Sequence, residues 1–103
     1  MSELYDKRIR FTLAVADLIQ FITAQGCTVA LGPDGLKHMQ GSLHFAGLAV
    51  DLAIYKNGVY LTGTKDYAFA GEYWKSRGPE FSWGGDFTKA DGNHFSIVYG
   101  GKA

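Results

Sequence analysis

The sequence carries three histidines, His38, His44 and His94. Two of them stand close to aspartates. His44 leads to Asp51 in GSLHFAGLAVDL (41–52), and Asp91 leads to His94 in DGNHF (91–95). A histidine and an aspartate inside an apolar, strand-like run must find compensating partners, because burying polar groups without them is costly. A shared metal ion is one such partner. Two imidazoles and one carboxylate suit zinc that keeps a position open for water. A further carboxylate within reach could serve as general base towards that water. His44, Asp51, His94 and Asp91 are therefore the candidate set. Each also has a plain structural reading. A strand histidine is commonly satisfied by its neighbours, and an aspartate in a Gly-Asn turn is a common turn former.

The elements that must position these residues follow from local patterns. Residues 5 to 25 read as an amphipathic helix, with Ile9, Leu13, Val15, Ala16, Ile19 and Ile22 as its apolar set and Gly26 as its stop. CTVAL (27–31) is short and β-branched, which predicts a strand, and GPDG (32–35) is turn chemistry. LAVDLAIYKNGVYL (48–61) predicts a hairpin, its two apolar runs joined through Asn57-Gly58. DYAFAGEYWKS (66–76) predicts a short helix capped by Asp66, RGPEFSWGGDF (77–87) a loop, and NHFSIVYG (93–100) a last strand. The expected architecture is α+β, a small, mostly antiparallel sheet packed with helices.

With 103 residues, one domain spanning the whole chain is expected. Apolar residues make up 47% and charged residues 19%, a globular rather than disordered balance. The formal net charge is zero, which argues against a bulk electrostatic grip on nucleic acid. Cys27 is the only cysteine, so an intrachain disulfide and a thiolate zinc cluster are excluded. A structural zinc site would need another ligand, for which His38 is the candidate. The apolar run FTLAVADLIQFITA is interrupted by Asp17 and Gln20, so neither a signal peptide nor a stable membrane-inserted helix is expected.

SLHFAGLAVDL resembles the Ser-x-His-x-x-Gly-x-Ala-x-Asp signature of zinc peptidoglycan peptidases, with Ser42, His44, Gly47, Ala49 and Asp51 matching. This family comprises D-alanyl-D-alanine carboxypeptidases and L-alanyl-D-glutamate endopeptidases, phage endolysins among them. Asp91 and His94 match its second motif, Asp/Glu-x-x-His, and WGGDF (83–87) resembles the Trp-Gly-Gly element that precedes it. VDLAIYKNGVYL and YAFAGEYWKSRG are similar to the intervening segments of phage-encoded members.

The resemblance implies a Hedgehog/DD-peptidase-like zinc fold. It implies that His44, Asp51 and His94 bind Zn2+, and that Asp91 is the catalytic base and then the acid to the leaving amine. Ser42 would support the ligand loop, and Trp83 would pack the cleft wall or the core. The implied substrate is a peptidoglycan stem peptide, cut between L-alanine and D-glutamate by a monomeric phage-type endolysin. Such an enzyme is made in the host cytoplasm and acts at the cell wall or periplasm after release. A D-Ala-D-Ala carboxypeptidase and a non-catalytic wall-peptide binding module are the alternatives. The chain departs from the family where a Gly-x-Arg-Thr-like element usually precedes the first motif. CTVALGPDGLKHMQGSLH is shortened and has no arginine, leaving Lys37, His38 or Arg77 as substitutes in substrate binding.

Overall fold

The computed structural model describes residues 2–32, 43, 44 and 46–103. Helix α1 spans Glu3–Ala24. Ser2 caps it, its hydroxyl accepting from the Tyr5 N–H at 3.2 Å, and Glu3 and Asp6 complement the positive end of the helix dipole. The chain leaves the helix through Gly26 at φ +86°, a left-handed conformation that glycine adopts without strain.

The buried face of α1 is Phe11, Ala14, Leu18 and Ile22. This corrects the expected apolar set. Ile22 is buried, but Ile9, Leu13 and Ala16 are exposed. The helix carries two apolar stripes at helical spacing. The aromatic layer decides between them, because the Phe11 ring meets Trp74 edge-on at 5.8 Å.

Among the described residues, five strands form one antiparallel sheet: β1 Cys27–Leu31, β2 Ala49–Lys56, β3 Val59–Tyr60, β4 Phe81–Trp83 and β5 His94–Ile97. The strand order is β1-β2-β5-β4, and β3 pairs with β2. The expected hairpin is present. Asn57 and Gly58 turn at φ 52° and 76°, as a two-residue primed turn requires. One 3₁₀ turn, Thr64–Tyr67, leads into α2, Ala68–Lys75. Asp66 therefore does not cap α2. It lies inside the preceding turn and accepts the Gly63 N–H at 3.1 Å. The expected loop 77–87 contains β4 and a second 3₁₀ turn, Gly84–Asp86.

The two faces of the sheet differ. Val50 pairs with Phe95, and Phe81 with Ile97, so these side chains share a face. Trp74 of α2 packs edge-on against Phe81 at 5.2 Å and Phe95 at 5.9 Å, so this is the helix-covered face. Alternation then puts Ala49, Asp51, Ala53 and Tyr55 of β2, and His94 and Ser96 of β5, on the opposite face. Tyr67 fills the gap where β5 and β3 share one edge of β2. Its hydroxyl donates to the Leu61 carbonyl at 2.8 Å and accepts from the Ile54 N–H at 3.1 Å. No helix among the described residues is long and apolar enough to cross a membrane.

Candidate metal centre

Asp51 and His94 are register partners across β2 and β5, so the ladder itself sets their side chains next to each other. His44 arrives from the turn that precedes β2. That turn is closed by Gly47 N–H to the His44 carbonyl at 3.2 Å and by Leu48 N–H to the Leu43 carbonyl at 2.8 Å. Buried Leu43 and Leu48 anchor its two ends in the core. Gly47 stands at φ +75°, and a Cβ there would approach Arg8 Nε to 2.8 Å, so both conformation and space favour glycine.

The three side chains offer ligand atoms that all lie within 4.8 Å of one another, the one such group of three among the described residues. Asp51 Oδ1 is 3.7 Å from both His44 Nε2 and His94 Nδ1. Zinc bonds of about 2.0–2.2 Å in tetrahedral geometry place neighbouring ligands roughly 3.3–3.6 Å apart. The observed spacing is too long for a hydrogen bond and close to what a shared ion requires. The imidazole rings of His44 and His94 sit 5.2 Å apart at 65°, and Phe87 packs 5.3 Å from His94. The residues present therefore fit a zinc ion held by two imidazoles and a carboxylate.

Asp91 lies outside that group, exposed on the turn that delivers His94. Its backbone is fixed from two sides. Its N–H donates to the Gly84 carbonyl at 2.8 Å, and its carbonyl accepts the His94 N–H at 3.1 Å. A Cβ at Gly84 would collide with the Asp91 carbonyl, so the first glycine of Trp-Gly-Gly permits this close approach.

Trp83 is buried beside the same turn. Its indole N–H donates to the Gly92 carbonyl at 2.8 Å, and its ring lies over Gly71 of α2, where any Cβ would collide. Trp83 thus ties the Asp91–His94 turn to the helix layer. Asn93 ties it to β2, since its side-chain amide donates to the Leu52 carbonyl at 2.7 Å.

Ser42, Lys37 and His38 lie outside the described residues. Arg77 does not reach the metal-ligand group. Its guanidinium pairs with Asp17 of α1 at 2.8 Å, in the helix layer. Asp86 holds Lys75 at 2.7 Å, and this hydrogen bond raises the Lys75 pKa above its ordinary value. Cys27 pairs in register with Lys56, at the far end of β2 from Asp51, and is not part of the metal-ligand group. Three residues near the site were not singled out from sequence: Arg8, Asn93 and Phe87. Asn93 and Phe87 flank the motifs in sequence. Nothing in residue spacing connects Arg8 of α1 to Gly47.

No curated protein matches the chain. A family model described as D-alanyl-D-alanine carboxypeptidase matches residues 37–97. That span is more than half of the chain and contains His44, Asp51, Asp91 and His94. The order of the two motifs, their convergence on one face of the sheet and this match agree, and the chain belongs to the D-alanyl-D-alanine carboxypeptidase family of peptidases.

Proposed function

We propose that the protein is a zinc peptidase that hydrolyses peptidoglycan stem peptides. The observation that carries this reading is the convergence of His44, Asp51 and His94, distant in sequence, with ligand atoms within 4.8 Å. His44, Asp51 and His94 would hold the ion. When bound, zinc supplies a Lewis acid for the scissile carbonyl and makes water a nucleophile near neutral pH. Asp91 removes the proton of the attacking water and returns it to the leaving amine. Its placement on the turn that carries His94 supports this role. The turn is held by Gly84, Trp83 and Asn93, which fixes the backbone of the base relative to that of the ligand.

The bond we assign is that between L-alanine and D-glutamate, and the setting is phage-type lysis at the cell wall. The support is the similarity of 50–61 and 67–78 to phage-encoded members. The description of the matching family favours a second reading, removal of the terminal D-alanine. Digestion of purified peptidoglycan with zinc-loaded protein, followed by mass spectrometry, separates them. Stem peptides lacking L-alanine establish the endopeptidase, and loss of a single D-alanine establishes the carboxypeptidase. No product from a preparation with one zinc per chain would refute catalysis and leave a wall-peptide binding module.

A further inference from the structure

The face of the sheet that carries Asp51 and His94 continues beyond them. Asp51, Ala53 and Tyr55 alternate onto that face of β2. Tyr55 pairs in register with Tyr60 of β3, so both rings stand on the same side as Asp51. The ring centroids are 5.4 Å apart, with their planes at 43°. Between this pair and Asp51, β2 and β1 contribute Ala53 and its partner Ala30 to that face, a floor of two methyl groups.

A cross-strand tyrosine pair supports its hairpin, and that alone calls for no ligand. Tyr60 goes further, because it is held at its tip and still 45% exposed. Its hydroxyl accepts from the Asn93 side-chain amide at 3.5 Å, and Asn93 directly precedes His94. The ring therefore reaches back along the gap between β3 and β5, towards the metal centre. Aromatic surface that is already held in place can be covered by a substrate with little ordering cost.

Distance selects the part of the substrate. Asp51 and Tyr55 are four residues apart on one strand, about 14 Å, and Tyr60 reaches back over that stretch. In a stem peptide cut after L-alanine, that residue and one lactyl group separate the scissile carbonyl from the amino sugar, about 7 Å when extended. The sugar ring then falls between Asp51 and Tyr55. Removal of the terminal D-alanine would put four residues and the lactyl group in between, roughly 17 Å, and carry the sugar past the pair. A pyranose has an apolar C–H face rimmed by hydroxyls, which suits an aromatic face with a polar tip.

We propose that Tyr55 and Tyr60 form a sugar subsite, their rings stacking on the amino sugar that carries the stem peptide. The inference rests on the endopeptidase reading above and deepens it: the glycan, and not the peptide alone, is recognised.

The test uses the full chain carrying Asp91→Ala, so that binding is read without cleavage. The probes are N-acetylmuramyl-L-alanyl-D-isoglutamine and the same dipeptide without its sugar, titrated by NMR. The sugar-bearing probe should bind about 10-fold more tightly, with nuclear Overhauser contacts from the tyrosine rings to sugar protons. Tyr55→Leu and Tyr60→Leu keep an apolar side chain on the hairpin and lose the flat face. Each should bring the sugar-bearing probe down towards the dipeptide, while Tyr55→Phe keeps the preference. Equal affinity for the two probes, or no ring-to-sugar contacts, would overturn the proposal even if a variant failed to fold. So would a loss shared equally by the dipeptide, which would make the pair a peptide contact or a hairpin support. Digestion of peptidoglycan by the wild type tests the underlying reading separately. A tyrosine-dependent sugar preference in a protein that releases no L-alanine-free peptide would refute the endopeptidase and leave the sugar subsite standing.

Discussion

At the residue scale, Trp83 and Asn93 hold the turn that carries Asp91 and His94, by donating to the Gly92 and Leu52 carbonyls. Metal chemistry admits few residue types, which made His44, Asp51 and His94 candidates; their spacings alone are a weak signal, and the family resemblance joined them into one set. Trp83 did not reveal its role, because its partner is the Gly92 backbone carbonyl and residue types do not show backbone acceptors. Trp83→Phe keeps most of the ring and removes that one donor. The buried carbonyl then loses its partner, which should cost about 1–3 kcal/mol in chemical unfolding. The same substitution should weaken zinc binding, since the turn that carries His94 loses its tie to α2. Asp91→Ala should behave differently. It should abolish peptide cleavage while leaving zinc stoichiometry and melting temperature near wild type, as measured by metal analysis and a thermal scan.

At the scale of elements, local signals succeeded where the chain decides for itself. The Asn57-Gly58 turn demands two left-handed residues in succession, and that pair supplies them. The extent of α1 was legible for similar reasons. Its buried face was not, because the stripe through Ile9 and Leu13 and the stripe through Phe11, Ala14, Leu18 and Ile22 both fit a helical period. Tertiary packing chose the second by seating Phe11 against Trp74. A pair of substitutions checks this. Phe11→Ala should cost about 3–5 kcal/mol, and Leu13→Ala, at 64% exposure, should stay within about 0.5 kcal/mol. Equal losses would mean that the helix is packed on the other stripe. Strand β4 escaped the sequence reading because it is three residues long, and its partner, β5, lies beyond the Gly84–Asp86 turn and the Asp91–Asn93 segment.

At the scale of the whole molecule, Tyr67, Tyr73 and Lys75 have pKa values shifted in the same direction. Burial pushes the Tyr67 hydroxyl up, and the hydrogen bond that Tyr73 donates to Asp17 at 2.8 Å does the same for Tyr73. The hydrogen bond to Asp86 pushes Lys75 up. A pKa raised in the folded state contributes stability that is fully present below the unfolded value and lost as pH rises through the folded one. The ordinary values are 10.0 for tyrosine and 10.5 for lysine, so these groups leave stability unchanged below about pH 10 and withdraw it above. Thermal scans from pH 7 to 11 should show a plateau and then a fall. Lys75 and Asp86 are partly exposed, so solvent screening keeps their share small.

Zinc should couple to the same equilibrium. A ligand held only by the folded state at about a hundred times its Kd adds about 2.7 kcal/mol. For a domain of about this size that is roughly 10 °C or more in melting temperature, and excess chelator should remove it. The most direct test of the metal centre is a calorimetric zinc titration of the metal-free protein beside its folded Asp51→Ala variant. One zinc per wild-type chain, with binding lost in the variant, is the result that His44, Asp51 and His94 lead us to expect. No binding by the wild type, or undiminished binding by Asp51→Ala, would contradict it.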